Sequence, residues 1–244
     1  MELVGVTKSN SSNDYAMLEY CIRNDLKPKA PRVMAVLDPI KLVLITIPRT
    51  SWIFRCDGQH GKSWFRLWKS TIWKRIMDWS WWLYGRTTKK YFRLFPGNEV
   101  RLMNAYFVKC VEFWKDENGK VTVVHCTYDP ITKNGTGFTG RKVKGTIHWV
   151  PVHHCKKVTA RLYENLVDEE KGVYNEDGSL NLNPNSLTVL KDCYVEPNIA
   201  DVKPEDKFQF VRQGYFCADL KDYTKEKPVF NRIVSLKSSF KLPK

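Results

Sequence analysis

Residues 89–110, KKYFRLFPGNEVRLMNAYFVKC, constrain this chain most, because behind a Pro-Gly turn the side chains change character at every step. From Glu99 onward Val100, Leu102, Tyr106, Val108 and Cys110 share one parity, while Glu99, Arg101, Met103 and Lys109 take the other. Successive side chains of a strand point to opposite faces, so the pattern predicts a half-buried strand with a polar, partly basic open face. Residues 115–119, KDENG, then supply an Asn-Gly turn, and residues 120–128 resume in β-prone types, which predicts a hairpin. A third run, residues 141–150 (RKVKGTIHWV), places Lys142, Lys144, Thr146 and His148 on one side and Val143, Ile147 and Trp149 on the other. Three strands are thus expected to carry Lys or Arg outward over an apolar floor.

That basic face matches the whole chain, whose formal charge is +14 over 244 residues. Such an excess implies a polyanionic partner or an anionic surface. Nucleic acid is favoured over membrane, since no run of about 18 uncharged apolar residues occurs and the N-terminus lacks the basic-then-apolar layout of a leader. A cytoplasmic location is expected. Seven cysteines without a C-x-x-C pair argue against a disulfide framework or a structural zinc site. His153, His154 and Cys155 could bind a metal, but no second ligand pair stands at a suitable spacing, so no metal is expected.

Taken in order, the chain opens with a helical lead-in in which Ser12 or Asn13 can cap a helix. Met17, Leu18, Cys21, Ile22 and Leu26 repeat at helical spacing there, and Pro28 and Pro31 end it. Residues 32–47 read as strand, turn and strand around Asp38-Pro39. Residues 153–160 read as a crossover, 161–166 and 187–195 as strands around an acidic loop, 207–217 as a strand with a bulge near Gly214, and 229–239 as a closing strand.

Seven motifs, KKYFRLFPGNEVRLMNAYFVKC, HCTYDP, GFTGRKVKGTIHWV, LNPNSL, YVEPNIAD, FQFVRQGYFC and PVFNRIVSL, stand in the order and at the spacings that resemble the C-terminal half of the glutaminyl-tRNA synthetases. The resemblance implies a mainly β fold of two antiparallel β-barrels behind a short helical lead-in. Residues 1–30 would end a helical connecting subdomain, 31–150 would form a proximal anticodon-binding barrel, and 151–244 a distal barrel whose last strand returns to the first. The partner implied is glutamine tRNA, bound by a monomer. ATP serves the intact enzyme, and no cofactor is expected in this chain.

One block departs from the resemblance. Residues 48–88 hold seven of the nine tryptophans, eight Lys or Arg and only two acids, Asp57 and Asp78, with no sustained period. Insertion into a membrane interface, or stacking on single-stranded bases, would each suit a Trp- and Arg-rich segment, but both lack amphipathic support. The favoured reading is translation out of frame. Trp has the single codon TGG, and with suitable codons residues 52–90 reread one base later as approximately GYLDAMVNMENPGLGYGKVPFGKELWI, a poorer patch, then VEPP, which resembles the family. Residues 48–88 are therefore expected to pack badly, with several tryptophans exposed.

No constellation suggests catalysis: the class I signatures H-x-G-H and M-S-K are absent, and Asp168, Glu169 and Glu170 read as a solvated face. This chain by itself is expected to bind tRNA weakly and not to charge it. Sequence-specific RNA recognition targets unstacked bases, and an anticodon loop presents three. By resemblance Arg32, Gln209 and Arg212 match the pocket for the middle anticodon base, Arg101 the residue that meets the first, and Arg93 one that meets the third. Met103 and Phe92 stand where some members carry Arg and Lys. Lys90, Lys237 and Ser239 are weaker RNA contacts, and Lys142 and Lys144 count as general basic field. Other readings stay open: Arg32 as a linker charge, Gln209 as a partner for buried backbone, Arg212 paired with Glu196 or Asp219. Glutamine over glutamate identity is assigned to Arg101, Gln209 and Arg212. A glutamyl-tRNA synthetase, a standalone RNA-binding module and a nonfunctional gene remnant are the alternatives.

Overall fold

The computed structural model describes residues 15–45, 94–167, 172–199 and 201–237 in full, and the backbone of 52–58, 61–66 and 70–74. Helix α1 (Tyr15–Lys29) precedes β1 (Arg32–Val33), β2 (Ala35–Val36), β3 (Pro39–Leu44), β4 (Trp52–Gly58), β5 (Gly61–Arg66) and β6 (Ser70–Lys74). There follow β7 (Glu99–Leu102), β8 (Phe107–Lys115), β9 (Val121–Asp129), β10 (Thr146–Ile147) and β11 (Trp149–Pro151). The chain closes with β12 (Lys156–Tyr163), β13 (Leu187–Val195), β14 (Lys207–Phe210), β15 (Gly214–Ala218) and β16 (Val229–Val234). The packing expected of residues 48–88, the shifted frame inferred there, and the caps Ser12 and Asn13 fall outside the described residues.

The fold is mainly β. One seven-stranded sheet runs β1-β14-β15-β16-β12-β13-β2, and its two edges are separated in the chain only by Met34, so that the sheet curls into a nearly closed barrel. The other runs β10-β7-β8-β9-β3-β6-β11, with residues on either side of His148 at its two edges, but this sheet is not closed. Nor are the sheets purely antiparallel: β1 with β14, β12 with β16, β3 with β9 and β10 with β7 are parallel. Each sheet fills its own core. Val100, Leu102, Val108, Cys110, Val124, Cys126 and Trp149 pack inside the open sheet, in keeping with the alternation read from residues 99–110. The curled sheet is filled by aromatics, with Phe210 and Phe216 stacked at 4.3 Å and Phe230 set edge-on to Phe210 at 5.3 Å.

Several expectations change. The return of the last strand to the first barrel, expected over 229–239, lies partly outside the described residues; β16 as described pairs with β15 and β12, where Phe230 joins the distal core. The link between the halves is made at the other end, by Arg32–Val36, which leave residues 31–150 to line both edges of the distal sheet. The strand expected over 141–150 shrinks to β10 and β11, because the chain passes from one sheet edge to the other at His148, which is buried at 2 % exposure instead of facing outward. Residues 156–160, read as a crossover, already belong to β12. In α1 Leu26 and the half-buried Ile22, with Ala30 just past the helix, pack against Tyr215 and Val234, and the buried Arg23 donates to the Ser235 carbonyl at 2.7 Å, while Leu18 and Cys21 are exposed.

The bulge expected near Gly214 appears as a register shift between Tyr215 and Phe216 against β16. Gly214 itself has φ +153°, and a Cβ there would stand 2.6 Å from the Val234 carbonyl oxygen. Gly214→Ala should therefore lower unfolding free energy by about 1–2 kcal/mol, from strain and forced backbone movement together. Urea unfolding checks this; an unchanged midpoint would show that the β15–β16 pair yields without cost.

Candidate nucleic-acid interface

Met34 falls between two strands that serve opposite edges, so neither ladder takes its backbone groups. Glu196 takes both: its Oε1 accepts the Met34 N–H at 2.7 Å, and its own N–H donates to the Met34 carbonyl at 3.1 Å. A buried peptide group left unpaired would be costly, so this residue secures the kink. Burial raises the Glu196 carboxyl to about 7, against the opposing effect of the Met34 N–H. With the kink fixed, β1 lies parallel to β14 in a register that sets Arg32 beside Gln209. The Arg32 Nε donates to Gln209 Oε1 at 3.2 Å, joining two residues 177 apart in sequence. Arg32 is exposed and Gln209 half-buried.

Beyond β14 the chain reverses through Val211, Arg212 and Gln213, closed by the Gln213 N–H on the Phe210 carbonyl at 2.8 Å. Arg212 adopts φ +62°, which is unusual for a residue with a side chain. Its guanidinium does not pair with Glu196 or Asp219: Asp219 receives Arg161 and Asn231 instead. Arg212 donates across to the Thr146 carbonyl of β10, and the Gln213 amide lies 3.2 Å from His148 Nε2. The hairpin thus presses on the handover point of the other sheet, over an apolar junction of Met34, Val36 and Val150.

Thr146 also stands opposite Arg101 in the β10–β7 register, and the Arg101 N–H donates to Gly145 at 2.8 Å. The Arg101 guanidinium lies 4.4 Å from the centroid of Phe107. Arg141 also approaches that ring, at 5.2 Å, while bonding both Glu99 oxygens at 2.9 and 3.0 Å and Asp129 at 2.7 Å. The two carboxylates hold the Arg141 pKa above its usual range. Arg32, Gln209, Arg212 and Arg101 therefore fall along one seam, tied through Thr146. Met103 packs at the junction, so its thioether is spent on apolar contact. Lys237 is exposed beyond β16, with its carbonyl accepting from Ser235 Oγ at 3.0 Å. Arg93, Lys90, Phe92 and Ser239 lie outside the described residues.

Five residues of this seam were not singled out by sequence reasoning: Glu196 as the anchor of Met34, and Phe107, Arg141, Thr146 and Gln213. Local pattern carries no sign of them, since each acts through a contact across strands or sheets: Glu196 on Met34, Thr146 on Arg212, Gln213 on His148, and Phe107 and Arg141 across the β7–β8–β9 ladder. Among the described residues no group of three His, Cys, Asp or Glu is placed to hold a metal ion, and His153 and His154 are exposed. Among the described residues no helix is long and apolar enough to cross a membrane.

Residues 30–129 and 146–219 match two family profiles, both described as tRNA synthetases class I (E and Q), anti-codon binding domain. Among curated proteins, a glutamine--tRNA ligase of Clostridium perfringens is 49 % identical over 251 aligned residues, covering 98 % of this chain and 44 % of the relative. Those of Clostridioides difficile and Clostridium kluyveri are 48 % and 43 % identical, again over 98 % of the chain. The chain thus spans less than half the length of these relatives.

Proposed function

Since this chain belongs to the anticodon-binding region of the class I glutamyl- and glutaminyl-tRNA synthetases, we propose that it binds the anticodon stem and loop of glutamine tRNA, with Arg32 and Gln209 reading the middle base. The observation that carries this reading is the 3.2 Å contact between those two side chains, on the seam that also holds Arg212 and Arg101. Codons for glutamine, CAA and CAG, place uracil in the middle of the anticodon. Uracil shows two carbonyl acceptors on its pairing edge. With the Gln209 oxygen turned to Arg32, the Gln209 amide nitrogen and the remaining guanidinium N–H groups form a donor edge that suits those acceptors. Cytosine sets an amino donor where uracil has an acceptor, so this edge disfavours it.

Codon logic revises one assignment. Glutamate codons, GAA and GAG, also require uracil in the middle and the same first anticodon bases, so the two anticodons differ only at the third base. Arg101, Gln209 and Arg212 cannot separate them; that choice passes to the third-base residue, which by resemblance is Arg93. The glutamine reading over glutamate is favoured by the named relatives. In a longer protein with a catalytic domain, this binding would serve ATP-dependent joining of glutamine to its tRNA.

The test is direct competition between anticodon stem-loops. The chain should prefer the glutamine loop to one with cytosine in the middle by about tenfold or more, the value of one good bidentate pair. Equal affinities for the two would refute the pocket. A stem-loop with the glutamate anticodon, differing at the third base, measures the outer contact separately.

A further inference from the structure

We propose that the loop between β9 and β10, residues 130–145, is a second RNA-binding surface that takes the phosphodiester backbone of the anticodon arm beside Arg101. This rests on the anticodon-arm reading but names a different surface and a different chemistry. From Pro130 to Tyr163 the sequence has no carboxylate, while Lys133, Arg141, Lys142, Lys144, Lys156, Lys157 and Arg161 fall within it. No other stretch of comparable length segregates charge in this way while lying next to a base-reading candidate.

The loop is held at its start, middle and end, against β7, β8, the turn between them and the last residue of β9. At its start Asp129 accepts the Ile131 N–H at 3.1 Å, and the buried Thr132 hydroxyl accepts the Phe107 N–H at 2.8 Å. The Asn134 N–H then reaches the Ala105 carbonyl at 3.1 Å. In its middle the ring of Phe138 meets Phe107 edge-on at 6.0 Å, and Arg141 clasps Glu99 and Asp129. At its end Gly145 accepts the Arg101 N–H at 2.8 Å. Arg141 is consumed as the staple, its charge matched by two carboxylates. Lys133, Lys142 and Lys144 remain exposed on a surface whose geometry is fixed.

A fixed cationic loop loses less side-chain freedom on binding than a mobile one, which favours a defined phosphate track over diffuse attraction. The backbone adds to it. Gly135 and Gly137 have φ of +84° and +75°, with nothing within 4 Å of where a Cβ would stand, so a phosphate can approach the main chain closely there.

The experiment measures binding of the glutamine anticodon stem-loop across a salt series for the parent chain, a K133A/K142A/K144A variant and a control, K221A/K225A/K227A, which removes equal charge from the β15–β16 connection. The loop variant should bind about ten- to a hundredfold more weakly at 0.1 M salt and reduce the salt slope by about two to three, since each lost phosphate contact removes slightly less than one unit. Its preference for uracil in the middle should not change. R141Q, which keeps every lysine but removes the staple, should also weaken binding. An unchanged slope in the loop variant, or an equal loss in the control, would overturn the inference and leave these lysines as general field or as a protein-facing surface. Failure of the parent chain to bind any stem-loop would instead sink the anticodon-arm reading itself.

Discussion

A Glu196→Gln variant keeps nearly constant stability between pH 5 and pH 8 relative to its parent, whose own stability falls by about 3 kcal/mol across that window on account of this one carboxyl. The sign follows from the direction of the shift. Glu196 is raised from 4.5 in the unfolded chain to about 7 in the folded one, mainly by burial. Below the lower value both states hold the proton and the group costs nothing. Between the two values the unfolded chain has released a proton that the folded chain still binds, so stability declines as pH rises. Above the upper value both states are ionised and the penalty is complete. Glutamine keeps the oxygen that accepts the Met34 N–H but has no proton to lose. The difference between parent and variant isolates this group, because every other titrating group is common to both chains. Urea unfolding at four or five pH values measures it. Parallel pH profiles for parent and Gln variant would show that Glu196 is solvated in the folded chain. Glu196→Ala is the harsher change: at pH 5 it strands the Met34 N–H at a cost of about 1–3 kcal/mol, and it should loosen the register that sets Arg32 beside Gln209.

That register shows what the sequence could and could not disclose. The alternation from Glu99 to Cys110 and the Asn-Gly turn that follows are local signals, and β8 and β9 pair across that turn as expected. The single strand read over 99–110 is divided, however, because the chain turns at residues 103–106, where the Ala105 N–H donates to the Leu102 carbonyl at 2.8 Å, and β7 and β8 pair with each other. Arg32 and Val33 make a strand too short to have a period, as do Thr146 and Ile147; both pairs exist because a distant edge needs covering. Parity therefore misled at His148, where reading through the handover point put a buried ring on the open face. Motif resemblance placed Arg32, Gln209 and Arg212 in one group, and the β1–β14 pairing is the physical reason that the first two meet. Resemblance could not tell that Arg212 also reaches the opposite sheet, since a main-chain carbonyl leaves no mark on a motif.

Substituting Arg32 should remove most of the preference for uracil over cytosine at the middle anticodon base. Arg32→Ala deletes both a donor edge toward the base and the restraint on the Gln209 oxygen, so discrimination should fall by about 1–3 kcal/mol, close to its whole extent. Arg32→Lys separates charge from shape: an ammonium preserves the salt dependence but lacks the planar fork, so affinity for all loops should persist while selectivity is lost. Gln209→Glu tests the pair from the other side. A carboxylate would bind the guanidinium as an ion pair and remove the amide donor, which should weaken uracil binding while leaving stability unchanged or slightly higher. Because the two side chains touch, Arg32→Ala and Gln209→Ala together should cost clearly less than the sum of the two alone. Strict additivity in that cycle, measured by stem-loop titration at fixed salt, would mean that the two residues read separate parts of the RNA. An Arg32→Ala chain that still rejects cytosine would place the middle-base pocket elsewhere on the seam, with Arg212 the first residue to examine.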